Sequence, residues 1–215
     1  VLDPTAKPSF SVIDPFGNPF IAAESDDWFQ KKHSLFGGIE GVIIGVSDME
    51  RSLKFYREVL EIDKIIFDQE AVFEDLKGLK DGDQKFRRVR ISPSNRNTGA
   101  FSEVFGMFHI DLLQPLEVPS LAHNLENRFW GDPGFIHLCF DVNAMDEIKI
   151  RADKMENSFT VDSGDTFSMG AAAGRFAYLE DPDGTLIGLV ETDKITVSKK
   201  LNWLLTLSQK RKKKP

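Results

Sequence analysis

Two stretches of the chain alternate apolar and polar positions, Gly38 to Val46 and Gly134 to Val142. A period of two over such runs predicts half-buried strands. A capping sequence and apolar residues at helical spacing follow each of them. After the first, Ser47–Asp48–Met49–Glu50 reads as a capping box with Ser47 at the N-cap, and Leu53, Tyr56, Val59 and Leu60 mark one buried helix face. After the second, Asn143 is expected to cap a helix from about Ala144 to Met155, with Met145, Ile148, Ala152 and Met155 on one side. Three further strands are then expected in each half: Lys64–Phe73, Phe86–Ser92 and Met107–Gln114, then Phe159–Asp162, Gly174–Glu180 and Leu186–Glu191. The plan is strand, helix and three strands, twice over.

Punctuation between these runs divides the chain into a terminal hairpin at 1–36, a first module at 37–118, a linker at 119–133, a second module at 134–193 and a tail at 194–215. Phe10 to Glu24 reads as strand, turn, strand, and it matches the later hairpin at constant offset: Asp14 with Asp181, Pro15 with Pro182, Gly17 with Gly184, Glu24 with Glu191. The match makes the hairpin a remnant of an upstream module; the alternative is that a favoured Asp-Pro-x-Gly turn recurs by chance. Glu74–Gln84 and Pro93–Phe105 are expected to be polar loops, the second a lid, and Ser163–Ala173 a small-residue loop that reshapes around a ligand. The linker carries His123 and Phe129–Trp130. The tail combines an apolar stripe (Leu201, Trp203, Leu204, Leu205, Leu207) with a basic end, expected as a docked helix rather than a membrane anchor.

Composition narrows the class. A formal net charge of −7 speaks against a nucleic-acid surface. A single Cys forms no internal disulfide and fits a reducing, cytoplasmic setting. No run approaches the roughly 20 apolar residues of a membrane span. The chain starts at Val1 and not at a methionine, as a processed or shortened polypeptide would.

The helix start Ser47–Asp48, Ser52–Leu53, Phe55–Tyr56–Arg57 and Leu60, the strand His137 to Val142, and Phe176 with Asp181–Pro182–Asp183–Gly184 resemble the vicinal oxygen chelate superfamily of glyoxalase I, bleomycin-resistance proteins and extradiol dioxygenases. The resemblance spans about 38 to 192. It implies an α+β fold of paired βαβββ modules, forming a curved, partly open barrel-like sheet around a cup. In catalytic members a divalent metal in the cup chelates neighbouring substrate oxygens. Carried over one at a time, the family's ligand positions fall on Gly41, Asp111, His137 and Gly188. Two are empty, and Glu40 and Glu191 sit at the wrong strand parity to replace them.

Asp111 and His137 are thus the expected metal ligands, with His109 as third ligand or general base. The ion would be Fe, Mn, Ni or Zn, and a metal-free site stands level with it. His109 and Asp111 share a face but lie about 7 Å apart along a regular strand. Arg88 and Arg90 share a face suited to an anionic substrate, or are a solvated outer face. Cys139 shares the face of His137, as thiolate or as inert packing. Arg175, Tyr178 and Glu180 flank the second module's pocket, with Glu180 a candidate acid or base. The expected function is a metal-dependent lyase, isomerase or dioxygenase of small molecules with a degenerate metal site. The alternative is a metal-free, bleomycin-resistance-type protein that sequesters a ligand. Either is expected as a homodimer.

Overall fold

The computed structural model describes residues 1–25, 37–95, 106–117, 129, 131–164, 167–169 and 172–195. Most of the expected lid (96–105), most of the linker with His123 and Trp130, and most of the amphipathic tail (196–215) lie outside the described residues.

Two strands come first, β1 (Ser9–Ile13) and β2 (Pro19–Ala23), paired antiparallel as a hairpin. The first module follows as β3 (Gly41–Gly45), α1 (Met49–Leu60), β4 (Lys64–Ala71), β5 (Phe86–Ser92) and β6 (His109–Pro115). Its sheet has the order β3-β6-β5-β4, with β3 parallel to β6 and the other pairs antiparallel. The second module has β7 (Leu138–Asp141), α2 (Met145–Lys154), β8 (Val161–Asp162), β9 (Phe167–Met169), β10 (Ala172–Glu180) and β11 (Leu186–Ile195). Its order is β7-β11-β10-β8, with β7 parallel to β11 and β9 on β10. The doubled βαβββ plan is therefore present, as open sheets rather than a closed barrel. β9 falls inside the expected 163–173 loop.

Alternation along the strands sends one face of each sheet to the helices. Ile44, Val89, Ile91, Ile110 and Leu112 join Phe55, Tyr56 and Val59 of α1 in one core, which continues into Ala177, Leu179, Ile187 and Leu189 with Met145, Ile148 and Ala152 of α2. Each large apolar side chain buried there stabilises the fold by about 1.5–3 kcal/mol. The two modules share one interior.

Both helix starts differ from expectation. Asp48, not Ser47, is the N-cap of α1 and accepts from the Arg51 N–H at 3.1 Å. Ser47 instead gives its N–H and hydroxyl to Asp183, and Glu50 turns to Arg87. A carboxylate from the other module outcompetes the local box: Asp183 takes the Ser47 N–H and the Ser47 and Ser52 hydroxyls at the positive end of the helix. α1 ends at Glu61, in the left-handed region (φ 57°), whose N–H reaches the Arg57 carbonyl while the Ile62 N–H reaches that of Tyr56. α2 starts from a left-handed Ala144 with no side-chain cap, and the Met145 N–H donates to Glu191 at 3.3 Å.

The 74–84 segment is a loop of turns, as expected, but Asp75 and Leu76 are buried within it. Phe73, Leu76 and Phe86 form a second buried cluster on the other face of the first sheet, joined by Ile21 of β2, Ile43, Leu79 and Leu113. The terminal hairpin thus packs on the first module's concave face. A Cβ on Gly78 would come within 2.8 Å of the Ser11 hydroxyl.

Candidate functional site

The face opposite the helices carries the chemistry. On the first sheet, strand register sets Arg90 opposite Asp111, and Gly41 beside His109 in the parallel pair. Asp111 is buried, and both of its oxygens are taken. Arg90 donates from Nε at 2.6 Å to Oδ1 and from Nη2 at 3.0 Å to Oδ2. Arg88 donates from Nε at 2.8 Å to Oδ2 and grips buried Asp75 with Nη1 at 2.7 and 2.9 Å. Arg90 Nη1 reaches Asp3, from the chain start, at 3.2 Å. The guanidinium groups lie over the rings of Phe73 and Phe67, at 5.3 and 5.2 Å. Two arginines and three aspartates thus form one buried ionic cluster in which each charge has a partner, the condition under which buried charge is tolerated.

The cluster shifts its neighbours. Burial, then the positive charge of Arg90, holds the His109 imidazole below its ordinary value, outweighing Asp111 and Glu40. Burial pushes the Asp3 carboxyl up, but hydrogen bonds from Lys7 and Thr5 and the charge of Arg90 hold it below the usual range. His109 Nε2 comes to 3.9 Å from Asp111 Oδ1, far closer than the strand rise alone suggests, yet outside hydrogen-bond range.

On the second sheet, Gly188 pairs with Cys139 of β7 and Tyr178 of β10. A Cβ there would meet His137 Cδ2 at 3.1 Å, Tyr178 Cε1 at 3.2 Å and Cys139 Sγ at 3.5 Å. His137 and Tyr178 meet edge to face at 5.5 Å, Tyr178 meets Phe176 at 6.2 Å, and Phe176 meets Phe167 at 5.6 Å. The result is an aromatic wall over a glycine floor, with Phe167 on its exposed side. Cys139 is exposed as a residue, but enclosure of its sulfur and then the charge of Asp141 push the thiol up. That direction favours an inert thiol over a thiolate.

The sequence candidates therefore gather in two groups, Arg88, Arg90, His109 and Asp111 on the first sheet, and His137, Cys139 and Tyr178 on the second. Arg175 joins neither group: it projects from the helix side of β10 and binds Asp162 (2.8 and 3.0 Å) and Asp146 of α2. Glu180 is exposed at the end of β10, next to the Asp181 turn. Glu191 caps α2 and so faces away from Gly188, as its parity requires. Asp75 and Asp3 were not singled out from sequence. The spacing of Phe73, Leu76 and Leu79 signals that the loop is packed and so bears on Asp75, whereas no local pattern marks Asp3.

The family's metal does not fit these residues. Glycine stands at two ligand positions, His109 lies over Gly41, and rings crowd Gly188. Asp111 already neutralises two guanidinium groups. No three His, Cys, Asp or Glu side chains converge as an ion would require, among the described residues.

The description "Glyoxalase/Bleomycin resistance protein/Dioxygenase superfamily" matches residues 38–189. Among solved structures, a glyoxalase family protein from Bacillus cereus is similar at 20% identity, with 76% of this chain and 98% of that one covered and a TM-score of 0.54. A glyoxylase/bleomycin resistance protein/dioxygenase domain from Frankia sp. is similar at 18% identity (74% and 93% covered, TM-score 0.49). The trypanothione-dependent glyoxalase I of Leishmania major is similar at 19% (81% and 96%, TM-score 0.46). No curated protein matches the chain.

Proposed function

This chain belongs to the glyoxalase/bleomycin resistance protein/dioxygenase superfamily, and from that premise we propose that it binds a small organic molecule without a metal ion. The observation that carries the reading is the engagement of both Asp111 oxygens by Arg88 and Arg90. A divalent ion on Asp111 would have to displace two buried guanidinium groups, leaving Arg88 with Asp75 and Arg90 with Asp3 alone and setting further positive charge beside them. The guanidinium pair occupies, electrostatically, the place of a cation.

The ligand surface is the aromatic wall of the second sheet. Phe167, Phe176, Tyr178 and His137 offer ring faces and edges, and the absence of a side chain at Gly188 lets His137 and Tyr178 close over the strand. The Tyr178 hydroxyl and the His137 ring supply the polar groups that orient it. The class is therefore planar or aromatic, held by stacking rather than chelation.

The test is metal content of protein purified without chelators, before and after reconstitution with Fe, Mn, Ni and Zn, beside His137→Ala. A screen of planar aromatic compounds by thermal shift accompanies it. The expected result is substoichiometric metal unaffected by His137→Ala, with at least one aromatic compound whose stabilisation Tyr178→Ala abolishes. Near-stoichiometric metal lost in His137→Ala would overturn the proposal and restore a metal-dependent reaction on Asp111 and His137.

A further inference from the structure

The β1–β2 hairpin is built to the plan of β10–β11. Asp14 Oδ1 accepts the N–H groups of Phe16 and Asn18, both at 2.8 Å, as Asp181 Oδ1 accepts those of Asp183 at 3.0 Å and Thr185 at 2.8 Å. Gly17 and Gly184 adopt φ of 88° and 81°, and each donates to the carbonyl of its own Asp at 3.0 Å. Pairs Ser9↔Ala23 through Ile13↔Pro19 fall one for one on Phe176↔Val190 through Glu180↔Leu186. An identical turn enforces identical register, so this much follows from the turn alone.

What does not follow from the turn is the pattern on the faces. Phe10, Val12, Phe20 and Ala22 hold the positions of Ala177, Leu179, Ile187 and Leu189. Those four are each 0% exposed in the core beneath the helices, whereas Phe10, Val12 and Phe20 are 54%, 46% and 48% exposed. Phe20 meets Phe135 edge to face at 5.5 Å, and the rest of the hairpin's helix-facing surface is open to solvent. Its other face (Ser9, Ser11, Ile21) matches Phe176, Tyr178 and Gly188 and lies over the first sheet's concave side, where Ile21 joins the buried cluster.

The edges agree. β11 is flanked by parallel β7, while no strand pairs with the outer edge of β2 among the described residues. β9 folds back on the start of β10, and the chain start does the same on β1. Leu2 bridges Pro8, and Val1 exchanges hydrogen bonds with Ser9 at 2.8 and 3.0 Å. The chain thus enters the hairpin along the path that the second module uses.

We propose that β1 and β2 are the last two strands of a third βαβββ module, whose strand–helix–strand half precedes Val1 in the same polypeptide. Its helix covers Phe10, Val12 and Phe20, and its first strand pairs in parallel with β2. The first sheet's cup, holding Asp3, Arg90 and Asp111, is then closed by that module rather than by a second copy of the chain.

The experiment reads the gene ahead of the Val1 codon and compares amide exchange in the 215-residue chain and in the longer polypeptide. The Glu24 and Asp14 N–H groups point inward to Pro8 and Asn18, so by alternation Ile21 and Ala23 point theirs to the open edge. The expected result is a strand–helix–strand pattern of roughly 30 residues or more, with Ile21 and Ala23 exchange slowed about tenfold or more in the longer polypeptide. An upstream sequence without that pattern, or unchanged exchange, would overturn the proposal. So would a dimer of the longer polypeptide that Val12→Asp dissociates, since a second copy would then cover the face.

Discussion

The Tyr56 hydroxyl donates to Asp181 Oδ2 at 2.9 Å, buried, and ties the helix of one module to the turn of the other. Burial pushes the Asp181 carboxyl up against hydrogen bonds from Thr185, Tyr56 and Asp183, and burial with the Asp181 charge pushes the Tyr56 phenol well up. Removing the donor leaves a buried carboxylate oxygen unsatisfied. Tyr56→Phe is therefore expected to lower stability by about 1–3 kcal/mol, read as a reduced urea midpoint with an unchanged slope.

Asp111 compensates two arginines at once, so its loss is felt in folding before function. Asp111→Ala is expected to cost about 3–5 kcal/mol, with Asp111→Asn in the same direction. Chemical denaturation measures it. A variant that melts like the parent would show that the cluster is not held together through this carboxylate.

His109 gives stability a pH dependence of definite sign. Its folded-state value is lowered from 6.5 by burial and by Arg90. As pH falls through 6.5 the unfolded chain takes up the proton first, so this contribution is present above that value and is lost progressively below it. His109→Gln is expected to flatten the fall in melting temperature over that window. Parallel curves for parent and variant would contradict the assignment.

Gly41 and Gly188 should respond differently to the same methyl group. A Cβ at Gly41 would lie 2.5 Å from His109 Nε2 and 2.7 Å from the His109 carbonyl oxygen, so backbone must move. At Gly188 the nearest atoms are side chains at 3.1 and 3.2 Å. Gly41→Ala is expected to cost about 1–3 kcal/mol and Gly188→Ala less, while Gly188→Ala weakens binding of an aromatic ligand. Thermal melts order the two, and ligand titration separates stability from binding.

The doubled strand–helix–strands order was legible because burial imposes its own period on each element, two in Val42 to Val46 and about 3.6 in Met49 to Val59. The terminal hairpin was legible because Asp14 and Gly17 write their turn locally. Helix caps were not, since Asp183 reaches Ser47 across 136 positions. Nor was the burial within the 74–84 loop, where Asp75 is drawn inside by Arg88.

By itself, then, the sequence determined both helices and the strands other than β9, and which residues of a strand share a face. Parity alone placed Arg88 with Arg90, His109 with Asp111, and Glu191 away from Gly188; the register of β5 on β6 then brought the two pairs to one face. Only the tertiary structure decided what those side chains do there. A carboxylate and a guanidinium are equally ready to meet a metal, a substrate or each other, and long-range pairing brings Asp3, Asp75 and Asp111 onto the two arginines. The choice rests on desolvation, because a buried charge must find a partner, and the fold supplies one from within the chain.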